Sequence, residues 1–478
     1  MLLLVACTHQ GGAPFSSRSS PTDVVLKDAG ESVFRYETFG NERFFSDILG
    51  LDEGFARRGI TPNDLLAAGV QLDADKLPSE FLLVDVGSGV YGNAAATMRL
   101  IGANAVIGLV ARNGRVGVTC AWCHSRSDGR IAPGVGRRTD GVPNARLASG
   151  EVLAWGERSR AYLPFVNVSR TGSGVAVDLG AVDDAEVFEG AADAALRSWP
   201  RGQADILPDG VGNPTDIPSL FLVGPHGPYL WDGSFSGAED ANQYFATVVL
   251  DPTVLATPPG KAFLADGPFW PVGESLSRAY HRALEAIDPE GDWPRAAIFR
   301  ASVFKLFHDA MDAKFRVNRD EVAALTAYLG GVLPPERDLP DERVIDAGRR
   351  VFRRSGCNDC HLEAWVAGGA VVPLATLVAG YGQGREAPTV ENPGMGYDDR
   401  IALTPGEDSI ARRGYKVPSL LGLSWSAPYL HDGSAPTLEA LFSPERGAGA
   451  PHPYFIASAR ERKELAAFLM AWDGRVYP

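Results

Sequence analysis

Apolar residues recur at helical spacing in short segments of the chain, and polar stretches rich in glycine and proline separate them. In FRVNRDEVAALTAYL (315–329) and FIASARERKELAAFL (455–469) the apolar positions fall three and four residues apart, which predicts amphipathic helices. Asn318 and Ser458 stand at the predicted N-caps, and a glutamate follows each of them three residues later. The pattern predicts a mainly α protein with short helices, long loops and little sheet.

Two further segments carry helix signals of a different kind. TPNDLLAAG (61–69) places Thr61 as an N-cap and Pro62 at the first helical position. VIDAGRRVFRRSGCNDCH (344–361) predicts a helix that ends close to a cysteine motif. Prolines in GGVLPPERDLPDER (330–343) prevent a continuous helix, so this stretch is a predicted linker.

Long-range repeats indicate a duplicated architecture. IPSLFLVGPHGPYLWDGS (217–234) matches VPSLLGLSWSAPYLHDGS (417–434) without a gap, with nine of 18 positions identical. The two predicted capped helices form a second matching pair, in the same order along the chain. We therefore predict an N-terminal lobe over 31–335, enlarged by insertions, and a C-terminal lobe over 336–478.

Each lobe contains a Cys-x-x-Cys-His motif, which is followed by the Pro-Ser-Leu repeat and then by the capped helix. The residues are Cys120, Cys123 and His124 in the first lobe and Cys357, Cys360 and His361 in the second. In this pattern two thioether bonds fix the edge of a c-type haem, and the histidine is an axial ligand of the iron. A redox dithiol and a four-cysteine zinc site are the alternatives, and neither explains the histidine after each pair. The sequence predicts two covalently bound haem c groups.

The charge and the N-terminus bear on partners and location. A net charge of −14 argues against nucleic acid or an anionic membrane surface as a partner, and it suits a basic redox protein. Residues 1–30 are predicted to be a signal remnant and tether, because MLLLVAC resembles the end of a bacterial lipoprotein signal in which Cys7 would carry a lipid. The alternative is a frayed terminus with a chance cysteine. Covalent haem attachment predicts export, to the periplasm or an outer-membrane anchor.

The haem motifs and VPSLLGLSWSAPYLHDGSAPTLEALF (417–442) resemble the di-haem superfamily of bacterial cytochrome c peroxidases and the methylamine dehydrogenase maturation enzyme, MauG. The resemblance covers most of 110–478, and the second lobe looks closest to rubber-oxygenase-like di-haem cytochromes. It implies two cytochrome c-type lobes with two haems, and it does not single out one activity. In the peroxidases a calcium ion lies between the lobes. Ser426 and Pro428 match that region, which adds calcium as a candidate cofactor.

The second iron has a candidate sixth ligand. His452 lies six residues before the cap of the last helix, and the rubber-oxygenase branch has a distal histidine at a similar point. A haem held by two histidines has no vacant position. The rival ligands are Met395 and His431, and the other interpretation of His452 is a surface histidine in a loop.

The first iron lacks an obvious partner. No histidine occurs between His124 and His226, although the peroxidases keep a distal histidine in the loop after this motif. The repeat aligns His452 with Asp312, and carboxylate is a poor ligand for haem iron. Either the first iron is open, or Met311 or His308 caps it.

Peroxide chemistry at an open iron also needs a proton acceptor. Glu239, Asp240 and Gln243 are candidates, although the sequence does not choose among them. Trp231 and Trp425 lie in the repeated segment, where a tryptophan between two haems could relay an electron. Ordinary aromatic packing is the other interpretation.

These features predict an exported di-haem c-type cytochrome that acts as an oxidoreductase. The second haem would transfer electrons, and the first would activate peroxide or dioxygen. The alternatives are a pure electron carrier with both irons capped and an oxidant of a partner protein through surface tryptophans. The expected partner is a small cytochrome or a cupredoxin-like protein.

Overall fold

The computed structural model describes part of the chain, and helices dominate that part. The described residues are 21–82, 85–87, 89–168, 176–223, 227, 229–231, 233, 235, 237–257, 260–261, 264, 273–291, 317–361, 371–373, 414–446, 452 and 456–472. Every sheet within them has two short strands, so the prediction of a mainly α fold is confirmed. None of their helices is long and apolar enough to cross a membrane.

The α-helices are short, as their capping signals and frequent turn residues predict. They are α1 Pro21–Tyr36, α2 Leu51–Arg58, α3 Pro62–Ala67, α4 Ser79–Leu82, α5 Ala94–Gly102, α6 Ala121–His124, α7 Ser149–Leu153, α8 Ala185–Arg197, α9 Ala238–Tyr244, α10 Gly273–Ile287, α11 Arg319–Leu329, α12 Glu342–Arg354, α13 Leu438–Leu441 and α14 Ala459–Met470. Tighter 3-10 turns lie at Ala74–Lys76, Ser159–Phe165, Leu179–Ala181, Pro252–Ala256, Cys357–Asp359, Leu423–Trp425 and Pro444–Arg446, and wider π turns at Arg43–Ile48 and Phe245–Val249.

The strands form short two-stranded pairs within the loops that connect the helices. They are β1 Leu72–Asp73, β2 Leu109–Arg112, β3 Arg115–Val118, β4 Ser125–Ser127, β5 Val135–Gly136, β6 Arg138–Asp140, β7 Gln203–Ala204, β8 Thr215–Asp216, β9 Val371–Pro373 and β10 Gly414–Lys416. β1 and β5 are parallel, whereas β2–β3, β4–β6, β7–β8 and β9–β10 are antiparallel pairs.

The predicted helix caps are present. The Thr61 side chain accepts from the backbone N–H of Asp64, whose carboxylate accepts from the Thr61 N–H in return. Asn318 accepts from the N–H of Asp320 at the start of α11, and Ser458 accepts from the N–H of Glu461 at the start of α14. Each cap satisfies an N–H group that has no partner inside its helix.

Each lobe is closed by a contact between its first and last helices, with a glycine at the contact. In the first lobe α1 packs on α11, and a Cβ at Gly30 would lie 2.0 Å from the carbonyl oxygen of Ala324. In the second lobe α12 packs on α14, and a Cβ at Gly348 would lie 2.0 Å from the carbonyl oxygen of Glu464. Any larger residue would force these helices apart, so the glycine sets how closely they approach.

The start of the first lobe differs from the prediction. Helix α1 begins at Pro21, so the predicted tether over 1–30 ends inside a packed helix. The sequence carries a signal for this helix, because DAGESVFR (28–35) matches DAGRRVFR (346–353) at six of eight positions. This third repeat escapes notice because the cysteine motif follows it at once in the second lobe but 85 residues later in the first.

Three clusters of buried apolar side chains hold the described chain together. The largest lies within the first lobe, and a smaller one in the second lobe includes Phe352, Leu465 and Trp472. The third cluster contains Phe221 of the first lobe, Val332 of the predicted linker and Leu421 of the second lobe. Apolar packing between the two repeated segments therefore fixes the lobes against each other.

Candidate haem sites

Both Cys-x-x-Cys-His motifs fold into one helical turn. The backbone N–H of His124 donates to the Cys120 carbonyl at 3.2 Å, and that of His361 donates to the Cys357 carbonyl at 2.9 Å. One turn brings the first cysteine and the histidine of each motif together, as attachment to a single haem requires.

The repeated Pro-Ser-Leu segment orients the histidine of each motif. Nδ1 of His124 lies 3.0 Å from the carbonyl oxygen of Pro218 and donates to it, because a carbonyl can only accept. His361 makes the same hydrogen bond to the carbonyl of Pro418, the equivalent residue in the second repeat. With Nδ1 protonated, Nε2 keeps its lone pair for a metal. The sequence signal for this role is the proline that both copies of the repeat share, and the haem motifs alone do not reveal it.

The ionisation of these side chains suits haem better than a dithiol. Desolvation lowers the pKa of both His124 and His361 to about 4, so both imidazoles are neutral ligands at pH 7. Burial raises the pKa of Cys120 and Cys123 to about 12, whereas a reactive dithiol needs a lowered pKa. Both thiols are therefore uncharged at pH 7, and the same buried surroundings suit the uncharged thioethers of an attached haem.

The zinc alternative is wrong for the described residues, which include all four motif cysteines. No group of three or more His, Cys, Asp or Glu side chains among them could hold a metal ion. The four thiols are also free of disulfides. Calcium between the lobes stays a prediction. In the region suggested for it, the Ser426 hydroxyl donates to the Gly422 carbonyl at 3.1 Å.

His452 lies opposite His361. Their ring centroids are 6.4 Å apart and their planes differ by only 21°. Metal–imidazole bonds of about 2 Å on both sides of one iron place the two ring centroids about 6 Å apart. Burial, together with His361 and Arg446, lowers the pKa of His452 to about 3, so its ring is also neutral. This geometry fits an iron held between two imidazoles.

Of the two rival ligands of the second iron, Met395 and His431, the structure describes only His431. Met395 lies outside the described residues. His431 stacks on Trp231 in the first lobe, with ring centroids 4.4 Å apart and 24° between the planes. Stacking on this indole gives His431 a role at the boundary between the lobes.

The described part of the first lobe offers His124 no second imidazole ring in stacking contact. Met311, His308, Asp312 and His226 lie outside the described residues, so the alternatives stated for the first iron stay open.

The loop after the first motif is held by buried hydrogen bonds. β4 and β6 pair across it, and the Asp140 carboxylate accepts from the Ser125 hydroxyl at 2.7 Å and the Tyr328 hydroxyl at 2.8 Å. The Arg138 side chain is 4% exposed and lies 3.4 Å from the Asp73 carboxylate. A loop fixed on several sides is poorly suited to a large movement.

Of the three candidate proton acceptors on α9, one is buried. Gln243 is 0% exposed, Glu239 is exposed and Asp240 is half-buried. A neutral amide can hold a polar ligand but is not a general base at neutral pH. The described residues therefore do not identify a catalytic acid or base.

The two repeats also contact each other through equivalent backbone groups. The Asp216 N–H donates to the His431 carbonyl at 2.7 Å, and the Lys416 N–H donates to the Trp231 carbonyl at 2.8 Å. Asp216 and Lys416 occupy the same repeat position, as do Trp231 and His431. The lobes are thus joined by an approximately two-fold symmetric pair of hydrogen bonds, with the stacked rings between them.

One side of this contact brings two carboxyl groups together. Burial, with a smaller contribution from Asp432, raises the pKa of Asp216 to about 9. Asp216 Oδ1 and Asp432 Oδ2 are buried and have no hydrogen-bond partner among the described residues. Asp216 is therefore a neutral carboxylic acid at pH 7.

Replacing Asp216 with asparagine is expected to stabilise the fold increasingly as the pH rises from about 4 to 9. The folded protein keeps this proton up to its raised pKa, whereas the unfolded chain releases it near pH 4, so wild-type stability falls over that range. Urea unfolding should show Asp216→Asn gaining about 4 kcal/mol over wild type at pH 8.5 relative to pH 5. The exposed Asp338→Asn variant is the control, and an equal pH dependence in all three proteins would contradict this account.

One known protein family matches the chain, and the match falls in the second lobe. Residues 414–448 match the family described as RoxA-like, cytochrome c-like. That segment contains Pro418, whose carbonyl orients His361, so the match covers part of the second haem site. No curated protein matches the chain.

Two solved structures are similar over part of the chain. One is hydrazine synthase from Kuenenia stuttgartiensis, with 17% identity over 34% of this chain and 59% of that one, and a TM-score of 0.21. The other is a MauG-like protein associated with microbial copper homeostasis, with 20% identity over 32% of this chain and 56% of that one, and also a TM-score of 0.21. The similarity spans less than two thirds of either protein, and at this TM-score it does not decide between functions.

Proposed function

We propose that this protein is an exported di-haem c-type cytochrome with oxidoreductase activity. Haem at the second site would transfer electrons, and haem at the first would activate peroxide or dioxygen. The observation that carries this proposal is the facing pair His361 and His452, with ring centroids 6.4 Å apart, set against a first motif without such a pair among the described residues. The repeat places Asp312 at the position of His452, and this difference in sequence favours a division of labour over two identical carriers.

The chain's own groups prepare each site. The carbonyls of Pro218 and Pro418 keep the motif histidines in the tautomer that presents Nε2 to a metal. His452 closes the far side of the second site to a substrate. At the first site the loop fixed by Asp140 keeps its position without help from a ligand.

Trp231 and His431 provide a route between the lobes. Their stacked rings lie where the two repeats touch, and Tyr415 lies 5.0 Å from the His431 ring centroid. Trp425 packs in the apolar cluster between the lobes instead. We assign the electron route to Trp231 and His431, and leave Trp425 a packing role.

The oxidised protein is expected to bind cyanide, to react with hydrogen peroxide without prior reduction and, once reduced, to bind carbon monoxide. The loop after the first motif is fixed and contains no histidine, so reduction of the protein has no distal histidine in this loop to release. The fully oxidised protein should be titrated with hydrogen peroxide up to one equivalent per chain. The absorption spectrum should then show a change in one of the two haems. A response only after one-electron reduction would contradict the proposal, and so would no response in either state.

The second candidate function is electron transfer without a substrate. It would be favoured if Met311 or His308 ligates the first iron. Either Met311→Ala or His308→Ala would then create the ligand-binding site that wild type lacks. In either function we propose a small cytochrome or cupredoxin-like partner, because the net charge of −14 suits a basic protein. We also propose export to the periplasm, with a lipid on Cys7, on the basis of the proposed haem attachment and the sequence MLLLVAC.

A further inference from the structure

The His452 ring packs against a buried aromatic ring. Phe442 directly follows α13, and its ring centroid lies 5.8 Å from that of His452, with 70° between the planes. This is the edge-to-face arrangement that aromatic pairs prefer. Phe442 is only 4% exposed and belongs to the apolar cluster of the second lobe, so its neighbours keep its ring in place. The contact therefore restricts rotation of the His452 imidazole.

The backbone of Phe442 is fixed on both sides. Its N–H donates to the Leu438 carbonyl at 3.1 Å, and its own carbonyl accepts from the Ile456 N–H at 2.8 Å. Ile456 follows His452 by four residues, so the second bond ties the segment that carries His452 to the end of α13. The Ile456 carbonyl accepts in turn from the Arg462 side chain on α14 at 2.7 Å. Ring and backbone contacts of Phe442 thus act on the same segment.

The sequence of the first lobe has neither member of this pair at the corresponding positions. Helices α9 and α13 begin at equivalent positions of the repeat, and at that spacing Phe442 corresponds to Asn242. The Asn242 side chain donates to the Thr326 hydroxyl on α11 at 2.9 Å. His452 corresponds to Asp312 in the repeat of the last helices. The lobes therefore differ at two positions whose side chains touch in the second lobe.

The planes of the two imidazoles at the second site are set by different contacts. The Pro418 carbonyl accepts the hydrogen bond that orients His361, and Phe442 packs against His452. The two planes differ by 21° as a result. In a ferric haem held by two imidazoles this angle determines the low-spin spectrum. Nearly parallel planes give a rhombic signal, and rotation towards perpendicular planes raises the largest g value.

We propose that Phe442 is a positioning residue for His452, which keeps this imidazole nearly parallel to His361 and the second haem closed to added ligands. This inference rests on the proposed function, because it needs a haem between the two histidines. Outer contacts of this kind fix the orientation of a metal ligand. A ligand that keeps its place in both oxidation states suits a site that only transfers electrons.

The test is the electron paramagnetic resonance spectrum of the oxidised di-haem protein with Phe442→Leu, which removes the ring but keeps an apolar side chain. We expect the low-spin signal to persist with its largest g value shifted upwards, because the plane of His452 is no longer fixed. Phe442→Tyr keeps the ring and should keep the wild-type g values. A role in stability alone would not separate these two variants in this way.

The matched control is Phe468→Leu, which removes a buried ring from the same apolar cluster. Phe468 packs on Phe352 and Trp472, with ring centroids 5.6 Å and 5.2 Å away. This variant should lose stability as Phe442→Leu does, but it should leave the g values unchanged. An equal shift of the g values in both leucine variants would overturn the inference.

Carbon monoxide binding to the reduced protein is a second readout. The first molecule should bind at the first haem. The rate at which a second molecule binds measures how often His452 leaves its position, and in Phe442→Leu this rate should rise about fivefold, as the loss of one aromatic contact predicts. Unchanged g values together with an unchanged rate in Phe442→Leu would refute the role of Phe442.

The wild-type protein keeps the inference open to refutation if Phe442→Leu does not assemble. Its low-spin signal should be rhombic, and a signal typical of perpendicular imidazoles would contradict the proposed positioning. If mass spectrometry of wild type finds no haem on Cys357 and Cys360, the proposed function itself fails.

Discussion

Replacing Cys357 and Cys360 with alanine is expected to remove one of two covalently bound haems. Each Cys-x-x-Cys-His motif folds as a separate helical turn with its own proline carbonyl on the histidine, so neither depends on the other for attachment. Denaturing mass spectrometry should show wild type heavier than its chain by two haems and the variant heavier by one. The haem absorbance per chain should fall about twofold.

The matched control is Cys120→Ala with Cys123→Ala, which should also lose one haem but retain the low-spin one. Cys7→Ser should retain both, because Cys7 lies outside either motif. Colourless wild-type protein, or a variant that still carries two haems, would refute the assignment of the motifs.

Replacing His452 with alanine is expected to convert the low-spin haem to high spin. The His452 ring lies nearly parallel to that of His361 at the separation that one iron between them requires, and no other described imidazole is placed to substitute. The loss of a strong-field ligand should also raise the midpoint potential of that haem. Electron paramagnetic resonance of oxidised protein should show the low-spin signal lost and high-spin intensity about doubled.

Two further variants distinguish the loss of an iron ligand from general damage to the fold. His281→Ala removes an imidazole whose Nε2 lies 2.9 Å from Glu285 on α10, and it should leave both spin states unchanged. His431→Gln breaks the stack on Trp231 and should slow electron transfer between the haems while the low-spin signal persists. If the low-spin signal survives His452→Ala, the ligand is another residue, with Met395 the first to test.

Much of the fold could be predicted from periodicity and repeats. The mainly α class, the caps at Thr61, Asn318 and Ser458 and the helix before the second motif depend on local signals, which single sequences carry well. Helix α1 was missed because its partner α11 lies almost 300 residues away, and a polar segment without a cap signal looks like a tether when that partner is unknown.

The site could be predicted only as far as its covalent motifs. The spacing of the cysteines and histidines is itself the signal, and the choice of His452 over His431 depended on a resemblance. The hydrogen bond from His124 to the Pro218 carbonyl joins residues 94 positions apart. The stack of Trp231 on His431 and the backbone bonds of Asp216 and Lys416 join segments about 200 residues apart. Such contacts depend on how the repeats face each other, which neither repeat specifies alone.

The central claim is that the two haems differ, one closed between His361 and His452 and one accessible to substrate. The electron paramagnetic resonance spectrum of the oxidised wild-type protein tests this most directly. We predict one high-spin ferric signal and one low-spin signal of equal spin count per chain. Two low-spin signals, with no high-spin component, would contradict the claim and favour a pure electron carrier.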